Sequence, residues 1–240
     1  THTVRVAIAG GIAYGTTASC GNTQTLNNSA FEVDTSANLI VNTRRLDQII
    51  EHEPSDLIAI AQAGVTLADF NAKLRENGQW LSLDPPDDGR ATIGGIVATG
   101  VGGPQQFGYG RPRGSVIGMK VVLANGNVVR VGGRVVKNVA GYDLCKLFTG
   151  SYGSLGIITE VNFKLRPRPE RESTVITHGT TADLRSKART ILDARLFPVA
   201  AEIVSPAFAA RLGIPTNDLP VLLIRFAGNE KGVAYQIQET

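Results

Sequence analysis

The sequence predicts an α+β protein with one large domain followed by the beginning of a smaller one. Short β-branched runs of strand length alternate with helix-like periodic stretches along the 240 residues. Glycines cluster in the loops between these elements. Pro167 and Pro169 interrupt the chain, and a new strand-helix-strand pattern starts after them. We therefore expect one domain over residues 1–169 and part of a second over residues 170–240.

Local signals predict the elements of the first domain. Thr66 and Asp69 have the spacing of a capping box, which predicts a helix that Asn77-Gly78 ends. Asn125-Gly126 predicts a hairpin, because both residues tolerate the positive φ angles of a type I′ turn. Apolar β-branched runs predict strands at 4–8, 39–41, 49–50, 57–61, 116–124, 128–131 and 157–165.

A short helix is expected near residues 141–149, with Gly150 as its left-handed end. Leu144, Leu147 and Phe148 would lie on one apolar side of this helix. The expected elements of the second domain are a strand at 175–176, a helix at 181–196 and a strand at 221–226.

Composition and charge exclude several classes of protein. The net charge of +3 is weak, and the densest basic stretch, residues 166–171, has no interleaved aromatic side chains, so nucleic acid is not an expected partner. No apolar run is long enough to cross a bilayer, and no signal segment opens the chain, which predicts a cytoplasmic location. Thr1 in place of a start methionine, and a periodic pattern broken off at 233–237, suggest a fragment of a longer protein.

The cysteines and histidines predict no metal site. Cys20 and Cys145 do not form a CxxC pair, and His2, His52 and His178 are isolated and lack an HExxH motif. We expect each thiol to be inert and each histidine to be a surface residue.

The 27 glycines form clusters with a shared implication. Tight turns would explain about half of them, because glycine reaches φ angles closed to other residues. Successive backbone N–H groups in such loops also bind anions, so the recurrence of clusters favours a phosphate-bearing ligand. The clusters lie at 10–15, 94–103, 108–118, 132–133 and 150–156.

The usual nucleotide and hydrolase motifs are missing from the sequence. No GxxxxGK[ST] segment occurs, which argues against a P-loop NTPase. Gly150, Gly153 and Gly156 recur at three-residue spacing but precede a predicted strand, which argues against a Rossmann dinucleotide fingerprint. No GxSxG elbow of a serine hydrolase is present.

Several motifs occur in the order found in one flavoprotein family. They are TIGGIVAT at 92–99, VKNVAGYDL at 136–144 and GSYGSLGIIT at 150–159, preceded by Gly10-Gly11 after the first strand. The set resembles the PCMH-type FAD-binding domain of the vanillyl-alcohol-oxidase family over residues 4–169. The KNVAGYD form and Asp84-Pro85-Pro86 resemble the E-type FAD-binding subunits of glycolate oxidases. Residues 171–240 resemble the beginning of their cap domain.

The resemblance implies an α+β fold of two subdomains followed by the start of an α+β cap, with FAD bound noncovalently. Covalent members use a His or a Cys at positions where this chain has neither. Backbone amides near Gly10 and Thr92 would hold the pyrophosphate, Gly100 to Gly103 would line the isoalloxazine, and Gly156 to Ile158 would lie along the adenine side. The implied cofactor-binding residues are Gly10, Gly11, Ile12, Ala13, Pro86, Thr92, Ile93, Gly94, Gly95, Ala98, Thr99, Gly102, Gly103, Gly156, Ile157 and Ile158.

The implied activity is oxidation of a 2-hydroxy acid of the glycolate or D-lactate type, with a hydride accepted at flavin N5. No catalytic residue is identified; Lys137 and Arg113 are candidate cations near the flavin or substrate, and each has a surface-charge explanation of equal weight. The implied partners are a second flavoprotein subunit and an iron–sulfur subunit. Through them the chain could be peripheral at the inner face of the membrane instead of free in the cytoplasm.

Three departures from the family pattern favour an alternative. Tyr152 stands where catalytic members carry the Glu of GSEGTLG, and His178 is the only histidine after the linker. Ile12 and Ala13 replace the usual glycine and hydroxyl residue, from which we expect weaker FAD affinity. The alternative is a non-catalytic FAD-holding assembly or electron-transfer subunit whose partner oxidises the substrate. A sugar-nucleotide reductase of the same fold fits the KNVAGYD segment less well.

Overall fold

The computed structural model describes residues 6–9, 39–87, 89–133 and 143–240, with only the backbone described at 6–9, 39 and 40. The described chain divides into two compact units. The first unit takes in the described residues up to Leu81 together with 85–102 and 111–167. The second unit takes in residues 82–84, 103–110 and 168–240.

The strands of the described chain are β1 (Val6–Ala9), β2 (Leu39–Asn42), β3 (Ile49–Glu53), β4 (Ile58–Gln62), β5 (Gln79–Trp80), β6 (Val116–Val122), β7 (Val128–Gly132), β8 (Ile157–Lys164), β9 (Arg166–Pro167), β10 (Arg171–His178), β11 (Ala200–Val204) and β12 (Val221–Gly228). The helices are α1 (Leu67–Arg75), α2 (Ile93–Thr99), α3 (Gln106–Tyr109), α4 (Leu144–Phe148), α5 (Thr181–Asp193), α6 (Pro206–Arg211) and α7 (Glu230–Gln238). The predicted strands are confirmed to within a few residues, and α5 ends three residues before its predicted end.

The first unit is built on a five-stranded sheet in the order β3-β4-β8-β6-β7. Every pair of neighbours in this sheet is antiparallel. Helix α2 packs on β8, and α4 packs on β6 and β7. The core includes Phe70 of α1 and Phe163 of β8, both fully buried, with ring centroids 5.8 Å apart. Strands β1 and β2 form a separate parallel pair, and β5 pairs with β9.

The predicted capping box at the start of α1 is confirmed. The Asp69 amide donates to Thr66 Oγ1 at 3.0 Å, and the Thr66 hydroxyl donates to Asp69 Oδ2 at 2.7 Å. The helix then ends before Gly78, whose φ of +66° only glycine adopts without strain. Neighbouring residues alone were therefore enough to predict where α1 begins and ends.

The predicted hairpin forms, but the prediction of a type I′ turn at Asn125-Gly126 is wrong. A type I′ turn needs positive φ at both central residues, and of the two only Gly126 has it, at +82°. Strand β6 ends at Val122, two residues before its predicted end, whereas β7 begins at Val128 as predicted. The Gly126 amide donates to Leu123 O at 2.9 Å. Asn125 instead uses its side chain, whose Oδ1 accepts from the Asn127 amide at 3.0 Å.

The predicted apolar side of the short helix is also wrong. Helix α4 buries Cys145 and Phe148, whereas Leu144 and Leu147 are exposed. The sheet decides this orientation, because Gly132 of β7 leaves space for the Cys145 thiol: a β-carbon on Gly132 would lie 2.8 Å from Cys145 Sγ. The predicted stop at Gly150 is confirmed by its φ of +80°.

The second unit has a three-stranded antiparallel sheet in the order β10-β12-β11. Helices α5 and α7 cover one face, and their apolar side chains pack on the central strand. This core consists of Leu184, Ile191, Leu196, Leu222, Ile224, Phe226 and Val233. No helix in the described residues combines the length and the apolar character needed to cross a membrane.

Candidate cofactor site

Helix α2 begins within the TIGG segment, with Thr92 as its N-cap. Its first turn lies beside the residues that follow β4. Thr66 and Thr92 form an isolated antiparallel bridge beside it. The Ile93 amide donates to Val65 O at 2.8 Å, and the Gly94 amide donates to Ala63 O at 2.8 Å. These bonds fix the start of α2 against the sheet.

Gly94 is needed for this close approach. A β-carbon at residue 94 would lie 2.5 Å from Ala63 Cβ and 2.9 Å from Ala63 O. The Gly95 amide is also engaged, since it donates to Thr92 Oγ1 at 3.3 Å. The amides of Ile93, Gly94 and Gly95 are therefore used inside the fold. A role of this segment in holding a pyrophosphate stays a prediction, and other atoms than these three amides would have to make the contact.

The C-terminal end of α2 is capped by a segment more than 50 residues further along the chain. The Gly150 amide donates to Val97 O at 2.9 Å, and the Tyr152 amide donates to Ala98 O at 2.8 Å. Both carbonyls belong to the last turn of the helix, which has no partners of its own for them. Gly100 ends α2 with a φ of +65°, and a β-carbon there would lie 3.2 Å from Gly150 Cα.

The capping segment contains a tight turn over residues 151–154, which we call the 151–154 turn. The Ser154 amide donates to Ser151 O at 3.0 Å. Tyr152 and Gly153, its two central residues, have φ angles of +53° and +74°, so the turn is of type I′. The hydroxyl of Ser151 is buried and has no hydrogen-bond partner among the described residues. A buried donor of this kind is costly unless a further group binds it.

The backbone from Ala98 to Gly102 is the accessible part of this region. The preceding residues Ile93 to Val97 are buried, whereas each residue from 98 to 102 is partly exposed. The Thr99 hydroxyl turns back to donate to Gly95 O at 2.8 Å, so it adds no bulk on the open side. The open side of this stretch therefore presents small side chains and backbone, and the Ser151 hydroxyl without a partner among the described residues belongs to the turn that caps α2.

In the second unit, Asp84 organises the loop that leads into α3. Its Oδ2 accepts from the Gln105 amide at 3.0 Å. Burial raises the pKa of Asp84 above its ordinary value, while hydrogen bonds from Gln105 and from the Gly103 amide act in the opposite direction. A β-carbon at Gly103 would lie 1.7 Å from Asp84 O, so the close approach requires glycine. The predicted flavin-lining role of Gly103 stays a prediction beside this structural one.

The predicted adenine-side residues lie at the beginning of β8. Ile157 and Ile158 pair with Val122 and Val121 of β6. A β-carbon at Gly156 would lie 2.7 Å from Val121 Cγ1, which explains the glycine by packing. Ile158 is buried and Ile157 is partly exposed. Contact of this stretch with adenine stays a prediction.

The remaining predicted site residues are not brought together by the described structure. Pro86 is exposed, and Arg113 is exposed on a 3-10 turn over Pro112–Gly114. Gly10, Gly11, Ile12, Ala13, Lys137 and Cys20 lie outside the described residues. Within the described ranges, no group of three His, Cys, Asp or Glu side chains is placed to hold a metal ion.

A pocket of about 440 Å³ beside the Thr66–Thr92 bridge was not anticipated from the sequence. Two arginines, Arg44 and Arg90, and two aspartates, Asp47 and Asp69, line it. Because these charges balance, the pocket selects neither an anion nor a cation by net charge. No local motif in the sequence joins these residues.

The first unit thus combines an antiparallel sheet, contacts that require glycine and an accessible stretch of backbone after α2. Residues 6–132 match the family model described as FAD binding domain. This match spans more than half of the chain, so the chain belongs to the FAD-binding-domain family and its cofactor is FAD. The predicted family and cofactor are confirmed.

Curated relatives agree with this membership. Glycolate oxidase subunit GlcD of Bacillus subtilis is 37% identical over 203 residues, which cover 81% of this chain and 43% of the relative. Glycolate oxidase subunit GlcE of Escherichia coli is 43% identical over 122 residues, which cover 50% of this chain and 35% of the relative. D-lactate dehydrogenase of Archaeoglobus fulgidus is 36% identical over 145 residues, which cover 60% of this chain and 32% of the relative. The chain spans less than half the length of these relatives.

Solved structures of alkyldihydroxyacetonephosphate synthase share the fold. One superposes with a TM-score of 0.75 over 98% of this chain and 45% of the synthase, at 20% sequence identity. At that identity the likeness supports the fold alone, and the predicted α+β fold class is confirmed.

Proposed function

We propose that this chain is the FAD-binding part of a glycolate-oxidase-like oxidoreductase acting on a 2-hydroxy acid of the glycolate or D-lactate type. The observation that carries the proposal is the similarity to a glycolate oxidase subunit over 203 residues, beyond the matched FAD-binding region. Residues 1–169 would form the FAD-binding domain, and residues 170–240 would form the start of a cap domain.

Bound noncovalently, FAD would supply a two-electron acceptor that takes the substrate hydride at N5. The chain's own contribution is positioning. The α2 amides fix the start of the helix to the sheet, and the segment that contains the 151–154 turn holds its other end, directly before the accessible backbone. Such preorganisation lowers the entropy cost of binding a ligand. Arg113 and Lys137 remain candidates to hold the carboxylate of the substrate.

A second candidate function is an FAD-holding assembly or electron-transfer subunit whose partner oxidises the substrate. His178 favours this second candidate, because it is the only histidine after the linker and its ring is already engaged. Its Nε2 lies 2.5 Å from the backbone carbonyl oxygen of Pro215. In either case we expect a second flavoprotein subunit, an iron–sulfur subunit, and a location in the cytoplasm or at the inner face of the membrane.

The visible spectrum of the purified chain tests both candidates. We expect a flavin spectrum, either as isolated or after adding FAD and removing the excess. Anaerobic glycolate or D-lactate should then bleach the flavin band if the first candidate is correct. A flavin that dithionite bleaches but neither acid does would support the second. A colourless protein that takes up no FAD would contradict both.

A further inference from the structure

The tip of the β6–β7 hairpin carries one of the two Asn-Gly steps in the sequence. Asn125-Gly126 lies at this tip, and Asn77-Gly78 follows helix α1. All four residues are exposed. An asparagine before glycine is chemically labile, because the next backbone nitrogen can attack the side-chain amide and glycine has no β-carbon to hinder the attack.

The two steps have similar backbone environments. Gly126 has a φ of +82°, and its amide donates to Leu123 O at 2.9 Å. Gly78 has a φ of +66°, and its amide donates to Arg75 O at 3.0 Å. A β-carbon at either glycine would meet nothing within 4 Å. Either hydrogen bond must open before the nitrogen reacts, which exposed turns allow by local fraying. The backbone therefore does not distinguish the two nitrogens.

The two asparagine side chains do differ. Asn125 Oδ1 accepts from the Asn127 amide at 3.0 Å, whereas the Asn77 side chain has no hydrogen bond to any described residue. The ring that the Asn125 hydrogen bond closes contains the Gly126 nitrogen, so the side chain folds back along the backbone that carries this nitrogen. An amide donor on Oδ1 also stabilises the negative charge that develops on this oxygen during attack. Only the hairpin tip combines these two effects.

We propose that Asn125 is a site of spontaneous deamidation, which the folded hairpin selects over Asn77. The Gly126 nitrogen forms a bond to Asn125 Cγ, the bond from Cγ to Nδ2 breaks, and the proton of the attacking nitrogen leaves with Nδ2 as ammonia. Water then opens the resulting succinimide to aspartate or isoaspartate. The reaction needs no oxidant or cofactor and does not depend on FAD. Its product places a negative charge at the hairpin tip.

The ratio of the two deamidation rates in one chain tests the proposal. Folded protein and protein in guanidinium chloride are incubated in the same mildly alkaline buffer, and peptides are analysed by mass spectrometry with fragmentation that separates Asn125 from Asn127. In the denaturant both steps are the same dipeptide in an open chain, so we expect similar rates. In the folded protein we expect Asn125 to react about fivefold faster than Asn77, the effect of one hydrogen bond of ordinary strength.

Asn125→Gln is the matched variant. Glutamine would have to close a six-membered ring in place of the five-membered succinimide, so the signal at the hairpin tip should disappear while that of Asn77 stays unchanged. Equal rates at the two asparagines in the folded protein, a faster reaction at Asn77, or no reaction at either would overturn the proposal. A signal at the tip that persists in Asn125→Gln would assign the reaction to Asn127 and would also overturn it.

Discussion

Asp84 and Gly103 approach each other so closely that a β-carbon on Gly103 would lie 1.7 Å from Asp84 O and 2.6 Å from the Asp84 carboxylate carbon. One of the clashing atoms is backbone, so the loop cannot relax by moving a side chain alone. We expect Gly103→Ala to destabilise the second unit by about 3 kcal/mol or more, the upper end for overpacking. Urea unfolding measures this.

Gly228→Ala is the control for that substitution. Gly228 belongs to the same unit, and a β-carbon there would meet nothing within 4 Å. Its stability should stay within about 0.5 kcal/mol of wild type. Equal effects of the two substitutions would contradict the importance of the Asp84–Gly103 contact.

The raised pKa of Asp84 predicts a pH-dependent contribution to stability. Burial disfavours the carboxylate, so the folded state holds its proton to higher pH than the unfolded state does. Stability from this group is full below the unfolded pKa, about 3.9, and is lost as pH rises through the raised folded pKa. Asp84→Asn should remove this part of the slope. Unfolding curves across that window compare the two proteins, and identical slopes would contradict the prediction.

Cys145 is predicted to resist alkylation in the folded protein. It is 3% exposed, and burial together with the nearby charge of Asp143 raises the pKa of the thiol to about 11. At pH 8 the thiolate, which is the nucleophile, is scarce. Iodoacetamide followed by mass spectrometry should modify Cys145 only after unfolding. The experiment belongs in a Cys20→Ser background, and rapid labelling of the folded protein would contradict the prediction.

The contact between α2 and the sheet predicts a reciprocal pair of substitutions. Gly94→Ala would place a β-carbon 2.5 Å from Ala63 Cβ and should cost about 1–3 kcal/mol of unfolding free energy. Ala63→Gly removes one of the two clashing groups, so the double variant should recover part of that loss. The carbonyl of Ala63 remains, which is why recovery should be incomplete. Strict additivity of the two single effects in denaturant titrations would show that the residues do not interact.

Signals confined to a few residues were predictable from the sequence. The Thr66–Asp69 capping box and the Gly150 helix stop depend only on neighbouring residues, and both are confirmed. The hairpin turn at Asn125-Gly126 was mispredicted because its type depends on where the paired strands end. The buried face of α4 depends on the space that Gly132 leaves in a neighbouring strand. Neither property is encoded locally.

The candidate site was predictable as a set of motifs but not as a set of contacts. The TIGG segment identified the family, yet the sequence could not show that the amides of Ile93 to Gly95 are used within the fold. Nor could it show that residues near 150 cap a helix that ends at Thr99, because the bonds join residues more than 50 positions apart. From the sequence, Tyr152 was noticeable only as a departure from the family pattern. Its left-handed backbone conformation could be seen only in the structure.

The strand order of the first unit has a consequence for biogenesis. Strand β8 lies between the hairpins β3–β4 and β6–β7, although it is the last of the five to be synthesised. A ribosome that has not yet released residues 157–164 therefore holds two hairpins whose inner edges, β4 and β6, have unpaired backbone groups. Such edges are templates for intermolecular pairing, and pairing over long sequence separations is slow. The nascent chain should be most prone to aggregation, and most dependent on chaperones, in the interval before β8 emerges.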